Sequence, residues 1–340
     1  MENSPSDYVL VTGGTGLIGS HVVDNLLNRG CRVRMAIRSQ AKANAFLASR
    51  PGRSSQIDFA FVRDLTDAGA FDAAVDGVSS VIHVASPLNY SCDDNEEGLI
   101  IPAIKGVRSI LKASLGSKVR RIVMTSSFGA ILDMGRPEGQ PWRYSAADWN
   151  PITYKEATAP GTTPQDAYRG SKTFAEQEAW KFMETESPSF DLVTLCPSMV
   201  FGPLATPPSS VTDLNESNKM LWKVLSSVAT DELPPCRFNF WIDVRDLAEI
   251  HVQALKTPAA GGRRYIPVSK EPFTYQMASE YLQQEYPQLR GKIATGEQGV
   301  KPHVEVDHEP IDRDMPIGSH IPFRQTVLDF SRQFEKFLSK

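Results

Sequence analysis

A tyrosine and a lysine stand four positions apart in this sequence, at Tyr168 and Lys172. On an α-helix that spacing places both side chains on one face, and residues 173–183 have a strong helical pattern. A phenol has a pKa of about 10 and donates its proton poorly at neutral pH, whereas a neighbouring ammonium stabilises its anion. The pair could therefore act on a carbonyl oxygen, with Tyr168 as general acid. A tyrosine and a lysine at this spacing also occur on exposed helix surfaces. The prediction therefore depends on the other motifs in the sequence.

Two adjacent serines could hold the oxygen of a substrate. Ser126 and Ser127 follow the apolar run Arg121–Thr125, and ligands bind at the carboxyl ends of parallel strands. A serine hydroxyl can donate one hydrogen bond to a carbonyl oxygen. The residues alone do not choose between the two.

A glycine-rich segment follows the first apolar run, Tyr8–Thr12, and precedes a helical pattern. Glycines at this spacing, G-x-x-G-x-x-G, permit a tight turn, close approach of a pyrophosphate and close packing of the helix on the strand. The start of the helix offers unpaired N–H groups to the phosphates. This strand, loop and helix order predicts a dinucleotide site. Its predicted contacts are Gly13, Thr15, Gly16, Leu17, Ile18 and Gly19.

The residues after the second apolar run, Arg32–Ile37, indicate which dinucleotide binds. NAD-binding chains usually carry a carboxylate there to hold the ribose 2′-hydroxyl, but this chain has Arg38, with Lys42 four residues later. A guanidinium is well suited to bind a 2′-phosphate. A solvated basic surface would look similar, yet the missing acid and the arginine agree. The sequence therefore favours NADPH.

The elements that must position these residues alternate along the N-terminal half. Helical patterns separate the two runs above from further apolar runs at residues 57–62, 81–85, 121–125 and 192–195. This alternation predicts an α/β fold with a doubly wound parallel sheet. Proline-rich breaks suggest a smaller C-terminal substrate lobe. We assign residues 1–200 and 236–260 to the dinucleotide-binding domain, and residues 201–235 and 261–340 to the lobe.

Composition excludes several function classes. The 340 residues are 41% hydrophobic and 22% charged, as in a globular protein, and the net charge of −4 argues against a nucleic-acid partner. No apolar run approaches the roughly 18 residues of a membrane span, and residues 1–7 lack a signal-peptide pattern. The four cysteines and six histidines show no metal-ligand spacing. We therefore expect no metal and no membrane association, and a cytoplasmic location by default.

The glycine loop, the Thr-Ser-Ser strand end and the Tyr-Lys pair together resemble the extended short-chain dehydrogenase/reductases. Within these, the chain is similar to fungal NADPH-dependent ketone and aldehyde reductases, including methylglyoxal reductases, and more distantly to plant dihydroflavonol reductases. The resemblance covers about residues 7–260. The segments that carry it are residues 83–87, 149–153, 167–172, 197–203 and 240–248.

The resemblance implies a Rossmann-like fold, NADPH and reduction of a small carbonyl compound, as in secondary metabolism. It implies that Ser127 is the catalytic serine beside Tyr168 and Lys172, which also contact the cofactor. Cys196 departs from the asparagine that relatives often carry before the proline, which puts a polar contact there in doubt. The further implied cofactor contacts are Asp64 and Leu65 at the adenine, Ala85 at the pyrophosphate and ribose, and Pro197 and Val200 at the nicotinamide.

The substrate pocket should lie between the strand ends and the lobe. Leu88, Phe128 and Tyr154 are predicted to line it, with parts of residues 201–212. Such an apolar pocket suits a hydrophobic ketone or aldehyde better than a nucleotide sugar.

Two alternatives remain open. A nucleotide-sugar epimerase or dehydratase on the same fold would use the same Tyr-Lys pair but retain NAD, and Arg38 argues against it. A non-catalytic NADP-binding sensor or scaffold would typically lack the pair, which this chain keeps.

Overall fold

The computed structural model describes residues 7–87, 92–137, 139–208, 210–300 and 304–338. Within those ranges lie eleven strands, which are β1 (Tyr8–Thr12), β2 (Arg32–Ile37), β3 (Ile57–Phe61), β4 (Ser80–His83), β5 (Arg121–Thr125), β6 (Trp142–Tyr144), β7 (Asp191–Leu195), β8 (Met199–Phe201), β9 (Trp241–Asp243), β10 (Arg263–Tyr265) and β11 (Val304–Val306).

Twelve α-helices lie in the same ranges, and a π-helical turn, Glu96–Ile100, leads into the fourth. They are α1 (Leu17–Asn28), α2 (Gln40–Ala48), α3 (Asp72–Val75), α4 (Ile101–Ser114), α5 (Tyr154–Ala157), α6 (Pro164–Glu186), α7 (Glu216–Leu225), α8 (Val244–Lys256), α9 (Tyr275–Glu285), α10 (Glu309–Asp314), α11 (Phe323–Arg332) and α12 (Glu335–Leu338).

A parallel sheet forms the centre of the molecule. Its seven described strands lie in the order β10-β7-β5-β4-β1-β2-β3, and each neighbouring pair is parallel. The strand order reverses between β1 and β4, which is where ligands bind in doubly wound sheets. The predicted fold class is confirmed.

Each central strand is buried on both faces. Along β1, Val9 and Val11 pack into one core, with α1 and α8, whereas Leu10 packs into the opposite core, with α4 and α6. Successive side chains of a strand point to opposite faces, so helices on both sides of the sheet bury most positions of each strand. This burial explains why the strands read as continuous apolar runs in the sequence.

Aromatic side chains form a further core in the C-terminal part of the chain. Phe323 from α11 lies 4.9 Å from Trp241 of β9 and 5.5 Å from Phe273 between ring centres. Phe201 of β8 lies 5.0 Å from Phe273. These rings join the paired strands β8 and β9 to α7, α9 and α11, in a core distinct from the two that cover the central sheet.

Two expectations need correction. The fourth strand ends at His83 rather than at residue 85, because the chain leaves the sheet there to pass beside the glycine loop. Arg263–Tyr265, assigned to the lobe from sequence, instead forms the edge strand β10 and pairs with Val193–Leu195 of β7. A three-residue strand carries too short a pattern to be recognised.

None of the described helices is long and apolar enough to cross a membrane. Across the described ranges, no group of three or more histidine, cysteine, aspartate or glutamate side chains is arranged to hold a metal ion.

Candidate active site

A cavity of about 550 Å³ lies at the carboxyl ends of β1, β4, β5 and β7. Fifteen of the residues predicted from sequence line it, and they extend from the glycine loop to the Tyr-Lys pair. They are Gly13, Thr15, Gly16, Leu17, Ile18, Gly19, Arg38, Lys42, Leu65, Ala85, Ser127, Tyr168, Lys172, Pro197 and Val200.

The glycine loop connects β1 to α1 in close contact with the end of β4. Gly13 has a φ of +69°, and a Cβ there would lie 2.8 Å from the backbone nitrogen of Ala85. A Cβ on Gly19 would lie 2.2 Å from the carbonyl oxygen of Gly13. Only glycine fits both positions. No described side chain caps the N-terminus of α1 at Gly16, so its N–H groups are left for a phosphate.

Threonines at the ends of β1 and β5 are held by buried histidines. The Thr12 Oγ1 accepts the Ala85 N–H at 3.1 Å and lies 2.9 Å from Nδ1 of His83. The Thr125 hydroxyl lies 2.7 Å from Nε2 of His251, whose Nδ1 donates to a helical carbonyl. Burial lowers the pKa of His83 to about 3, assisted by the Lys172 charge, and that of His251 to about 4. Both rings are neutral at physiological pH.

One end of the cavity is basic. Arg38 and Lys42 both line it, and the Ser39 side chain caps α2 by accepting the Lys42 N–H at 3.4 Å. Sequence reasoning missed a third cation on this wall, Arg63, which follows β3. The sequence could have indicated Arg63, because a basic residue just after the third strand lies at the carboxyl edge of the sheet, as Arg38 does after the second.

The Asp64 side chain lies outside the lining of this cavity, although its neighbour Leu65 contributes to it. The Asp64 carboxylate accepts the backbone N–H and the hydroxyl of Thr66, each at 2.8 Å. Those bonds lower the pKa of Asp64, and the Arg38 charge adds to the effect. The carboxylate therefore stabilises the turn after β3.

Helix α6 carries Tyr168 and Lys172. Thr163 caps it by accepting the Asp166 N–H at 3.1 Å, and Pro164 occupies the first position. The Lys172 Nζ lies 6.0 Å from the centre of the Tyr168 ring. Lys172 is 9% exposed, and both side chains line the cavity. The predicted shared helical face is confirmed.

Hydrogen bonding distinguishes the two serines. Ser126 is buried, and its hydroxyl donates to the Glu176 carboxylate at 2.7 Å. The Ser127 Oγ accepts the Gly129 N–H at 3.0 Å, and among the described residues its own O–H donates to no partner. A single hydroxyl hydrogen can serve one strong acceptor. Ser127 is therefore the serine whose hydrogen can reach a ligand oxygen.

The wall opposite the glycine loop comes from the segment after β7 and from the start of α7. Pro197, Ser198 and Val200 line the cavity, and so do residues 214–217. The Ser217 Oγ accepts the Val200 N–H at 3.3 Å, which fastens α7 to β8. Sequence reasoning missed residues 214–217, because no local pattern reveals that this segment folds back onto β8.

Two of the residues predicted to contact substrate, Phe128 and Tyr154, lie away from this cavity. Phe128 is 3% exposed and packs edge-on against Tyr144 and Phe240, because a 3-10 turn after Ser127 carries its ring into the core. Tyr154 lies on α5 at the surface, where its hydroxyl donates to Glu96 at 2.7 Å. Neither lines the cavity described above. Leu88 lies outside the described residues.

The comparisons with known proteins agree with this geometry. Residues 9–266 match the NAD dependent epimerase/dehydratase family. The chain is 34% identical over 300 residues, 86% of each chain, to the NADPH-dependent methylglyoxal reductase of Saccharomyces cerevisiae. It is 35% identical over 295 residues, 84% of each chain, to a ketoreductase of Aspergillus niger. The structure of yeast methylglyoxal/isovaleraldehyde reductase complexed with NADPH superimposes with a TM-score of 0.89 at 31% identity, covering 97% of this chain and 99% of that one.

The buried neutral His83 predicts a pH-dependent stability. Its folded pKa lies below the ordinary value, so between about pH 6.5 and pH 3 the unfolded chain binds a proton that the folded chain does not. Stability is therefore lost as the pH falls through that window. From pH 7 to pH 5, His83 should contribute a loss of about 2 kcal/mol, which His83→Gln removes. Urea unfolding of both chains at the two pH values measures this difference. An equal pH dependence in both would contradict the assignment.

Proposed function

Because the chain belongs to the NAD dependent epimerase/dehydratase family, we propose that its cavity brings NADPH and a carbonyl compound together at Tyr168. The chain is an NADPH-dependent oxidoreductase that reduces a ketone or an aldehyde to an alcohol. One observation carries the residue assignment: Ser127, Tyr168 and Lys172 line the same cavity as the glycine loop and Arg38. The reacting groups and the cofactor contacts therefore share one space.

The cavity fits NADPH along its length. Only glycine fits at Gly13, because a Cβ there would meet the Ala85 backbone, and the loop packed in this way lines the space where a pyrophosphate would lie. Arg38 and Lys42 supply positive charge where a 2′-phosphate would lie. Pro197 and Val200 provide an apolar surface for the nicotinamide. Leu65 offers an apolar contact for the adenine.

The chain's own residues would hold and protonate the substrate oxygen. The Ser127 hydroxyl would donate a hydrogen bond to the carbonyl oxygen and fix its position. The Tyr168 hydroxyl would transfer its proton to that oxygen as negative charge develops there. The Lys172 ammonium would stabilise the resulting phenolate and hold the cofactor ribose. When bound, NADPH supplies the hydride that reaches the carbonyl carbon.

The substrate would lie between Ser127, Tyr168 and the start of α7. Residues 214–217 belong to the lobe assigned from sequence, and they line the same cavity as the catalytic residues. This arrangement supports the lobe as the substrate-binding unit. A small carbonyl compound is the partner that such a site would accept.

The competing epimerase or dehydratase reading is less well supported. Those activities depend on a retained NAD, whose ribose 2′-hydroxyl is usually held by a carboxylate. This chain has Arg38 at that position and two further cations, Lys42 and Arg63, on the same wall. A cytoplasmic location is also part of the proposal, because Cys31 and Cys196 are buried thiols outside any disulfide bond, as expected in a reducing compartment.

Replacing the tyrosine tests the proposed acid. Tyr168→Phe should lower kcat for a reducible carbonyl by about a hundredfold or more, since general acid catalysis contributes roughly 10²–10⁴. The dissociation constant for NADPH, followed by its fluorescence, should change by less than about threefold, because the phenyl ring remains. A variant that keeps more than one tenth of the wild-type turnover would remove Tyr168 from this role.

Replacing the arginine tests the cofactor assignment. Arg38→Ala should raise the KM for NADPH by about tenfold or more and leave the KM for NADH nearly unchanged, because a charge-assisted contact to the 2′-phosphate is lost. Arg290→Ala is the matched control, since Arg290 is exposed and lies outside this cavity. Equal changes with the two cofactors would show that Arg38 does not bind the 2′-phosphate.

A further inference from the structure

A fully buried carboxylate lies behind the candidate active site. Glu176 follows Lys172 by one turn of α6, and its side chain has no solvent exposure. It accepts hydrogen bonds from the Ser126 hydroxyl at 2.7 Å and the Thr194 hydroxyl at 2.6 Å. Arg264 of β10 donates to both of its oxygens, at 2.8 Å from Nε and 3.0 Å from Nη2. A charge is tolerated at such depth only when it is paired and hydrogen-bonded in this way.

Arg264 connects this carboxylate to the loops that follow β5 and β6. Its guanidinium donates to the carbonyl oxygens of Ala130 at 3.1 Å and Ala146 at 3.2 Å, and also to that of Asp148. It stacks on the Trp149 ring, with 3.7 Å between the guanidinium carbon and the ring centre. Because three backbone carbonyl groups hold the Arg264 guanidinium, its ion pair with Glu176 is fixed in one arrangement.

The thiol of Cys196 also lies beside the Glu176 carboxylate. Its Sγ lies 3.6 and 3.5 Å from the two carboxylate oxygens, and the side chain is fully buried. Burial raises the pKa of this thiol, and the Glu176 charge adds to the effect. The thiol therefore stays protonated and donates to the carboxylate. Cys196, where the family resemblance implies an asparagine, thus still supplies a donor.

Two of the donors to Glu176, Ser126 and Cys196, are adjacent to residues that line the cavity, and Ser126 lines it as well. Ser126 precedes Ser127, Cys196 precedes Pro197, and Glu176 itself stands one turn from Lys172. Lys172, Ser126 and Glu176 are among the residues that line a small cavity of about 20 Å³. The Glu176 carboxylate thus connects α6, which carries Lys172, to the residue before Ser127 and to the residue before Pro197.

We propose that Glu176 is the positioning residue of the reduction, setting Ser127 and Pro197 relative to Lys172 and Tyr168. The proposal rests on the proposed function. Hydrogen bonds to an ionised acceptor are short and directional, so the carboxylate fixes the end of β5 and the segment after β7 against α6. Such precision matters because a displacement of about 1 Å in a catalytic group can cost a hundredfold in rate.

Two hydroxyl donors to the same carboxylate provide a matched test. Glu176→Gln would leave the Arg264 guanidinium without its counter-charge, and lost folding could hide the effect. Ser126→Ala and Thr194→Val instead each remove one donor. Only Ser126 adjoins a proposed catalytic residue, whereas Thr194 lies in β7 and is absent from the residues lining the cavity.

The variants should lower the melting temperature by similar amounts but differ in turnover. Ser126→Ala should lower kcat about tenfold, with the KM for substrate and the dissociation constant for NADPH within about twofold of wild type. Thr194→Val should keep kcat within about twofold. Ser126→Thr, which retains the hydroxyl, should recover most of the lost kcat.

Several results would overturn the proposal. Equal kcat in Ser126→Ala and Thr194→Val would show that the carboxylate only stabilises the fold. A Ser126→Ala effect confined to the KM for substrate would mean that Ser126 binds substrate directly. Failure of Ser126→Thr to recover kcat would exclude the hydroxyl bond to Glu176 as the cause. A wild-type chain that binds NADPH but reduces no carbonyl would overturn the proposed function first, and the role of Glu176 with it.

Discussion

The contact between the glycine loop and the end of β4 determines where the rest of the site lies. Gly13 and Ala85 approach so closely that no side chain fits between them, and the Thr12 hydroxyl binds the Ala85 N–H across the same gap. Because β1, β4, β5 and β7 are parallel and adjacent, their carboxyl ends meet at one edge. The cavity extends from this contact along that edge, past Ser127 to Pro197.

The floor of the site is polar although it is buried. Neutral histidines hold the threonines at the ends of β1 and β5, and the Glu176–Arg264 ion pair lies beside Ser126 and Cys196. A packed apolar floor would often be as stable, or more so. Paired polar groups instead fix direction as well as distance, because each hydrogen bond has one favourable geometry. Positional precision is a sufficient reason for such a floor in an enzyme whose cofactor carries the reactive group.

The features that are local in sequence could be predicted. The strands β1, β2 and β5, the glycine loop and the shared face of Tyr168 and Lys172 each follow from a short pattern and its spacing, and the structure has them where they were expected. The preference for NADPH was predicted because Arg38, and not a carboxylate, follows β2. For these residues, local backbone preference and burial act together.

The features that depend on how distant segments meet could not be predicted. Phe128 adjoins Ser127 in sequence, yet the 3-10 turn that begins at Phe128 directs its ring into the core. Residues 214–217 reach the cavity only because α7 is fastened to β8, and the strand β10 is recognisable only through its pairing with β7. The role of Glu176 likewise arises from four segments that converge in space.

The most direct measurement is the rate of NADPH oxidation by the purified chain with a panel of aldehydes, ketones and diketones, with NADH assayed in parallel. The account predicts that at least one carbonyl is reduced, that the alcohol forms in step with NADP⁺, and that NADPH is used far more efficiently than NADH. NADPH binding without oxidation in the presence of any carbonyl, or a preference for NADH, would contradict it.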